Sequence, residues 1–257
     1  MGAIAFLYGA VAYLAFLASF TYAIGFVGNV FVPKGIDTPP YGPMSEAVLV
    51  DLLLLVLFAV QHSVMARKGF KQWWTRIVPQ PVERSTFVLA SSLALGLLLW
   101  KWQPIDGSLW TVQQPVARFA LQALFWLGWV IAVASTFMIN HFDLFGLRQV
   151  YLRLKGEPYL PLPFVKVALY RVIRHPLMLG LLIAFWATPD MTYGHLLFSL
   201  ATTGYIFLGV WLEERDLRRE HGEEYAQYAR EAGMLLPRGL QRRDPGLDGR
   251  MGREEVR

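Results

Sequence analysis

The sequence predicts an all-α integral membrane protein, and three observations support this fold class. Hydrophobic residues make up 55% of the 257 residues and charged residues only 17%. The mean hydropathy is +0.38, and the apolar residues gather in long unbroken runs. A helix of about 20 apolar residues spans the hydrocarbon core of a bilayer. We therefore expect about four full transmembrane helices, a tilted C-terminal helical hairpin and then a cytoplasmic amphipathic helix.

Four apolar runs predict the full crossings, at residues 3–32, 48–66, 87–100 and 116–139. The first run is interrupted only by Gly and by small polar side chains, and it is long enough to cross with a tilt. A secretory signal would carry a basic residue before the apolar stretch and a small-residue cleavage pattern after it, and this run has neither. The first run is therefore expected to be a retained helix.

A shorter apolar run at residues 176–188 predicts the first arm of the hairpin, because it is too short to cross the bilayer comfortably. The sequence Pro189-Asp190-Met191 is typical of a turn. Residues 193–212 then run back as the second arm.

The segment after the hairpin changes from apolar to charged. Its apolar and aromatic side chains recur at the spacing of one helix face, at Leu217, His221, Tyr225 and Tyr228. Residues 238–257 are rich in Gly, Arg, Asp and Pro and are expected to form a disordered cytoplasmic tail. A single membrane domain is therefore expected over residues 1–237.

The distribution of Lys and Arg predicts the orientation in the membrane. Segments 67–84, 140–175 and 214–257 hold 21 of the 24 basic residues. Because basic residues concentrate in cytoplasmic loops, both termini are expected in the cytoplasm. The formal charge of +5 is explained by this topology and by anionic lipid, so no nucleic-acid partner is expected.

The composition also excludes several kinds of site. With no Cys in the chain, disulfides, thiolate nucleophiles and Cys-based metal sites are excluded. The five histidines include no pair spaced i, i+4 on one helix, so no metal site is expected.

Two clusters of ionisable residues border the hairpin and predict a ligand site. The stretch Arg174-His175-Pro176-Leu177-Met178-Leu179-Gly180 opens the first arm, and Glu213-Glu214 closes the second. Both therefore lie at one membrane face, where an acidic pair is costly unless a cation or a hydrogen-bond donor accompanies it. Two simpler interpretations stay open: an interfacial helix start, and a polar helix end with Arg215 and Arg218 as surface partners.

These motifs resemble a known superfamily. Together with Leu217, His221-Gly222, Tyr225, Tyr228 and Leu236-Pro237, they resemble the isoprenylcysteine carboxyl methyltransferase and phospholipid methyltransferase superfamily over residues 165–237. The resemblance implies that this segment binds S-adenosylmethionine inside the membrane domain. One departure is Met178, which stands where the superfamily usually has Tyr. Tyr170, Tyr205 and Tyr225 are the candidate replacements.

The upstream half resembles a narrower group. Gln61-His62-Ser63 and residues 140–149, with the sequence NHFDLFGLRQ, are similar to bacterial methanethiol S-methyltransferases, which are related to NnrU proteins. The resemblance implies methylation of methanethiol to dimethyl sulfide in a bacterial inner membrane, with a small thiol and membrane lipid as partners. The sequence contains no Gly-rich strand-to-helix turn, which argues against a soluble nucleotide-binding methyltransferase.

The chemistry of S-adenosylmethionine predicts its binding residues. Its cations suit Glu213 or Glu214, and its carboxylate suits Arg174 or His175, near the helix N-terminus at Pro176. Tyr205, Gly209 and Glu213 share a helix face, which favours Glu213 as the inward-facing residue. The full predicted cofactor set is Tyr170, Arg174, His175, Pro176, Gly180, Tyr205, Glu213, Glu214 and Tyr225.

The acceptor half must generate a thiolate. A small alkyl thiol has a pKa of about 10, so forming its thiolate at neutral pH costs about 4 kcal/mol. His141 is the preferred general base, with Asp143 orienting it or serving instead and Arg148 as a nearby cation. The alternative is that Asp143 and Arg148 form a loop ion pair and His141 caps a helix. His62 either contacts the substrate or makes an interhelical hydrogen bond.

Two other functions stay open at this point. The same reaction on a lipid amine or carboxylate would require a lateral groove for acyl chains. A non-enzymatic NnrU-like membrane protein would use these polar residues only to hold helices together.

Overall fold

The computed structural model describes residues 2–162 and 166–238. Its helices are α1 Gly2–Gly28, α2 Met44–Ala66, α3 Lys68–Trp74, α4 Gln80–Lys101, α5 Pro115–Ile139, α6 His141–Leu144, α7 Leu147–Lys155, α8 Pro176–Trp186 and α9 Tyr193–Glu231. Two strands, β1 Ser108–Thr111 and β2 Asp190–Thr192, and a 3-10 turn at Ala168–Arg171 complete the described elements. The tail predicted at residues 238–257 lies, apart from Arg238, outside the described residues.

The fold class is confirmed: this is an all-α integral membrane protein. Five of the described helices, α1, α2, α4, α5 and α9, are long and apolar enough to span a membrane. The remaining apolar helix, α8, has 11 residues and is the short arm of the predicted hairpin. The apolar runs therefore locate every spanning helix, although α4 begins seven residues before its run because Pro81 and the polar residues beside it extend the first turns.

The hairpin and the amphipathic segment form one helix instead of two. α9 continues for 39 residues, and its only non-helical residue is Gly222, with φ 51° and ψ −124°. Residues 212–221 contain no Gly or Pro, so nothing in the sequence stops the helix before Gly222. Glycine tolerates the positive φ at the kink.

The short helix α8 packs tightly on α5. A Cβ atom added to Gly180 would lie 2.5 Å from the carbonyl oxygen of Gly128, and one added to Gly128 would lie 2.6 Å from the oxygen of Gly180. Ala132 and Ala184 extend this contact. Small residues allow membrane helices to approach at backbone distance, where van der Waals contact and weak hydrogen bonds replace the hydrophobic effect.

Polar contacts define the two ends of the bundle. At one end, Arg67 at the end of α2 pairs with Asp216, Arg84 in α4 bonds to Leu144, and Arg174 pairs with Glu214. We call this the basic end.

At the opposite end, β1 pairs antiparallel with β2, and Arg118 forms two hydrogen bonds with Asp190. The expected turn at Pro189-Asp190-Met191 thus includes a short strand, too short to produce a visible alternation in the sequence.

Candidate active site

A buried carboxylate, Glu214, lies at the centre of the basic end. Arg174 Nε donates to Glu214 Oε1 at 2.8 Å, and His175 Nε2 lies 3.2 Å from the same oxygen. Arg218 donates to the other oxygen at 3.1 Å. The side chains of Arg174 and Glu214 are 8% and 10% exposed. The two ends of the hairpin therefore meet, as the shared membrane face predicted.

The orientation of the glutamate pair differs from the one favoured by the sequence. Glu213 is 52% exposed, and in the part of the chain that the structure describes its carboxylate has one close basic neighbour, His175 Nδ1, at 3.7 Å. The buried face of α9 runs through Ile206, Val210 and Glu214, one residue out of register with the face of Glu213. Packing against α8 and α2 sets this register, and periodicity alone cannot distinguish two neighbouring faces of an apolar helix.

Backbone contacts hold Arg174 and His175 in place. The amide of Arg174 donates to the oxygen of Gly233 at 2.8 Å, and that of His175 donates to Met234 at 3.1 Å. Pro176 then begins α8, where a missing N–H has no consequence. The chain after α9 thus folds back as an extended segment beside residues 173–175, which fixes the side chains of Arg174 and His175 against Glu214.

Tyrosines line the same region. The hydroxyl of Tyr228 donates to the carbonyl oxygen of Tyr170 at 2.5 Å, and Tyr225 is buried with its ring 5.9 Å from that of Tyr228. Burial and the negative charge of Glu213 raise the pKa of Tyr170 well above its ordinary value. Tyr170 therefore remains a neutral hydrogen-bonding group throughout the physiological pH range.

A cavity of about 360 Å³ adjoins Glu214. It is lined by Trp211, Glu214, Arg215, Arg218 and Arg219. The guanidinium of Arg215 stacks over the Trp211 ring at 5.3 Å. The region thus offers carboxylates, cations and an aromatic surface within a few turns of one helix.

His62 joins α2 to α9. Its Nδ1 lies 2.9 Å from the hydroxyl of Tyr205, which also accepts a hydrogen bond from Ser63. Within residues 2–162 and 166–238, His62 Nε2 has no hydrogen-bond partner. A methyl group at Gly209 would meet no atom within 4 Å, so space is open on the face that Gly209 shares with Tyr205. Tyr205 and Glu214 are nine residues apart, about 13 Å along the helix axis.

His141 has a different environment, since both of its ring nitrogens are engaged. Its Nε2 lies 2.7 Å from the hydroxyl of Tyr13, and its Nδ1 lies 2.8 Å from Oγ1 of Thr136. Thr136 donates its own proton to Val133, so His141 donates from Nδ1 and Nε2 accepts from Tyr13. The imidazole is stacked on Phe137 at 4.1 Å. Burial lowers the pKa of His141 below its ordinary value.

Asp143 and Arg148 are close together but form a pair with each other. Arg148 donates to Asp143 Oδ1 at 2.9 Å, and Gln149 donates to the same residue. Asn140, not His141, caps α6 by accepting from the amide of Asp143. This arrangement matches the loop ion pair of the alternative interpretation, and no described contact joins Asp143 to the ring of His141.

Gly180 and Pro176 contribute through packing. The backbone of α5 occupies the space beside Gly180, so there is no room for a side chain at this position. Pro176 is buried at the first turn of α8. Their positions in the motif are explained by the helix crossing and by the helix start, with no ligand required.

Arg84 is a cation near this region that the sequence pattern did not single out as a site residue. Arg84 lies in the second turn of α4 and donates from Nε to the carbonyl oxygen of Leu144 at 2.7 Å. In the sequence it was one of several charges that set the topology, because it precedes an apolar run. Only the structure shows that its guanidinium turns toward α6 and bonds to the carbonyl oxygen of Leu144. Among the described residues, no group of three or more potential metal ligands is present.

Sequence comparison identifies the family. The model of the NnrU protein family matches residues 50–235. This chain belongs to the NnrU family. The matched residues include most of α2 and all of α3 to α9, and therefore every side chain of the candidate site described above except Tyr13.

Individual relatives of this NnrU-family chain carry two names. A methanethiol S-methyltransferase from Mycobacterium tuberculosis is 58% identical over 90% of this chain and 95% of its own length. One from Crocosphaera subtropica is 52% identical over 90% of this chain and 91% of its own length. Nurim from Sus scrofa is 32% identical over 65% of this chain and 67% of its own length. No solved structure matches.

Proposed function

We propose that this protein is an S-adenosylmethionine-dependent methyltransferase that converts methanethiol to dimethyl sulfide. The observation that carries the proposal is similarity to proteins named methanethiol S-methyltransferase, which are 49% to 58% identical over most of this chain. The shared length includes both the Glu214 region and the His62 region.

The residues around Glu214 fit the methyl donor. S-adenosylmethionine supplies an electrophilic methyl group on a sulfonium cation. Glu214 and Glu213 offer carboxylates to its cationic groups, while Arg174 and Arg218 offer donors to its carboxylate. Trp211 offers an aromatic face to the purine. We assign donor binding to this region, with Tyr170 and Tyr225 as part of its wall.

We place the acceptor between α2, α4 and α9, near His62. A general base needs a nitrogen that can reach the substrate, and His62 Nε2 has no partner in the described chain. His141 can act as base only through the hydroxyl of Tyr13, which occupies its Nε2. In the proposed reaction the thiol loses its proton and the thiolate forms a new sulfur–carbon bond. The bond from the methyl carbon to the sulfonium breaks, and its electron pair stays with the departing sulfur.

We further propose a bacterial inner-membrane location with the basic end in the cytoplasm. The support is the charge distribution, since 21 of 24 basic residues fall in segments 67–84, 140–175 and 214–257, and Arg67, Arg84 and Arg174 from these segments lie at the basic end. S-adenosylmethionine is charged and polar, so a site opening to the aqueous face where basic loops lie is the simplest route for it.

Product analysis tests the proposed function. Purified protein in detergent or lipid is incubated with methanethiol and S-adenosylmethionine carrying a labelled methyl group, and dimethyl sulfide is measured by gas chromatography. The expected result is labelled dimethyl sulfide that depends on both substrates. Label in the lipid fraction instead would favour a lipid acceptor. No binding of the donor by calorimetry would favour the non-enzymatic alternative.

A further inference from the structure

Arg84 has an unusual charge environment for a cation at the edge of a membrane span. Neighbouring arginines at the basic end each pair with a carboxylate: Arg67 with Asp216, Arg148 with Asp143, and Arg174 with Glu214. Over residues 2–162 and 166–238, Arg84 forms no ion pair, and its only hydrogen bond runs from Nε to Leu144. Its two terminal nitrogens are therefore available to an anion.

The guanidinium of Arg84 and the imidazole of His62 both lie beside the ring of Phe87. Arg84 Cζ is 5.1 Å from the centre of the Phe87 ring, and the imidazole of His62 is also 5.1 Å from that centre. At most about twice that distance separates the cation from the histidine. His62 Nε2 and the terminal nitrogens of Arg84 are both without partners in the described chain, and they border the same aromatic ring.

The surrounding charges do not neutralise Arg84. Glu83 on its own helix, Asp143 on α6 and Tyr159 act on it at longer range, but Asp143 already binds Arg148. His62 on α2 and Lys71 on α3 also lie within its electrostatic range. Burial and the charge of Arg84 lower the pKa of Lys71, which forms no ion pair in the described chain. Among the described residues, Arg84 and Lys71 are thus two neighbouring cations without an ion-pair partner.

We propose that Arg84 stabilises the thiolate of the acceptor, with His62 beside it to take the thiol proton. This inference rests on the function proposed above. Its chemical basis is that a small thiol has a pKa of about 10, and a cation within about 4–6 Å lowers such a pKa by about 1 to 3 units. The proton lost from sulfur goes to His62 and then to solvent. The thiolate pair forms the new bond to carbon, and the pair of the broken bond leaves with the donor's sulfur.

The pH dependence of turnover tests this role. For Arg84→Gln, we expect kcat/KM for methanethiol to fall about 10- to 100-fold near neutral pH, the effect of losing a charged hydrogen bond. The rising limb of the pH–rate profile should move up by about 1 to 3 pH units, so that activity partly returns in alkaline buffer. Affinity for S-adenosylmethionine, measured by calorimetry, should stay within about threefold of the original.

Two further variants control the experiment. Arg76→Gln removes an exposed cation from the segment between α3 and α4 and should leave the pH profile unchanged. Arg84→Lys keeps a positive charge, so its rising limb should stay close to that of the unaltered protein. Arg84→Met is uncharged and should show the same upward move as Arg84→Gln, which covers the case in which Arg84→Gln does not fold. An unmoved rising limb in the uncharged Arg84 variants would overturn the proposal. So would a loss of donor affinity equal to the loss of kcat/KM, because Arg84 would then bind the donor's carboxylate.

Failure of the proposed function gives a different result. If the unaltered protein makes no dimethyl sulfide, the methyltransferase assignment fails before any variant is compared. If it makes dimethyl sulfide and the pH profile of Arg84→Gln is unchanged, only the role of Arg84 fails.

Discussion

His62 lies near the end of α2 and His141 lies just after the end of α5, but the two histidines differ in how many of their ring nitrogens are hydrogen-bonded. His141 is 7% exposed, stacks on Phe137, and has partners on both ring nitrogens. His62 is only partly buried and has a partner on one nitrogen within the described chain, and Arg84 borders the same phenylalanine ring. A fully bonded histidine holds structure, whereas one with an open nitrogen beside a cation can exchange a proton with a ligand.

The largest expected effect comes from His62. We expect His62→Ala to lower kcat/KM for methanethiol by about 100-fold or more, the usual contribution of a general base. Binding of S-adenosylmethionine should change little, because His62 contacts Tyr205, which lies about 13 Å along α9 from Glu214. Steady-state kinetics and calorimetry give the two quantities.

Ser63→Ala is the matched control for His62. Ser63 is the next residue and also bonds to Tyr205, so its loss disturbs the same contact without removing the imidazole. A small effect of Ser63→Ala supports a chemical role for His62. If His141→Ala abolishes turnover while His62→Ala does not, the roles of the two histidines are the reverse of those proposed here.

The next largest effect is expected at the glutamate pair, where a buried and an exposed residue of the same kind can be compared at the proposed S-adenosylmethionine site. We expect Glu214→Gln to weaken binding of S-adenosylmethionine about 10- to 100-fold, because it also leaves the buried Arg174 without a counter-charge. The matched variant Glu213→Gln should weaken binding less than about fivefold, since Glu213 is half-exposed. Calorimetry with the purified protein measures both. Equal losses would show that exposure does not separate the two residues.

Much of the fold was predictable because each spanning helix is an uninterrupted apolar run. The runs at residues 48–66 and 116–139 match α2 and α5 within a few residues. The continuity of α9 was not predicted, because a change from apolar to charged composition looks like a boundary even when every residue favours helix. The pairing of β1 with β2 was not predicted either, since such short strands carry no periodic signal.

The site was predictable in kind but not in detail. The meeting of Arg174 with Glu214 followed from topology, because two segments at one membrane face can share a pocket. The choice between Glu213 and Glu214 depends on a rotation of about 100° around α9, which tertiary packing determines. Arg84 carried no distinguishing pattern, because an arginine before an apolar run is common at membrane surfaces. Its missing counter-charge is visible only in three dimensions.

A smaller effect is expected at the hydrogen bond between Tyr13 and His141. Tyr13→Phe removes one hydroxyl and leaves His141 Nε2 partly buried without a donor, so we expect a loss of about 1 to 2 kcal/mol in unfolding free energy. Turnover should stay within about tenfold of the original. Thermal unfolding in detergent and a kinetic assay measure the two effects. A loss of turnover as large as that of His62→Ala would show that Tyr13 and His141 relay the substrate proton.

The smallest expected effect is the pH dependence that His141 contributes to stability. Burial lowers its pKa in the folded protein, while in the unfolded chain the pKa is about 6.5. Between these two values the unfolded state binds more protons, so stability falls as pH drops below about 6.5, by at most about 1.4 kcal/mol per pH unit. His141→Gln removes this contribution, so its Tm should drop less than that of the unaltered protein between about pH 7.5 and pH 5.5. An identical drop in both would show that His141 is protonated in the folded state as easily as in the unfolded chain, and that its buried, stacked environment does not keep it neutral.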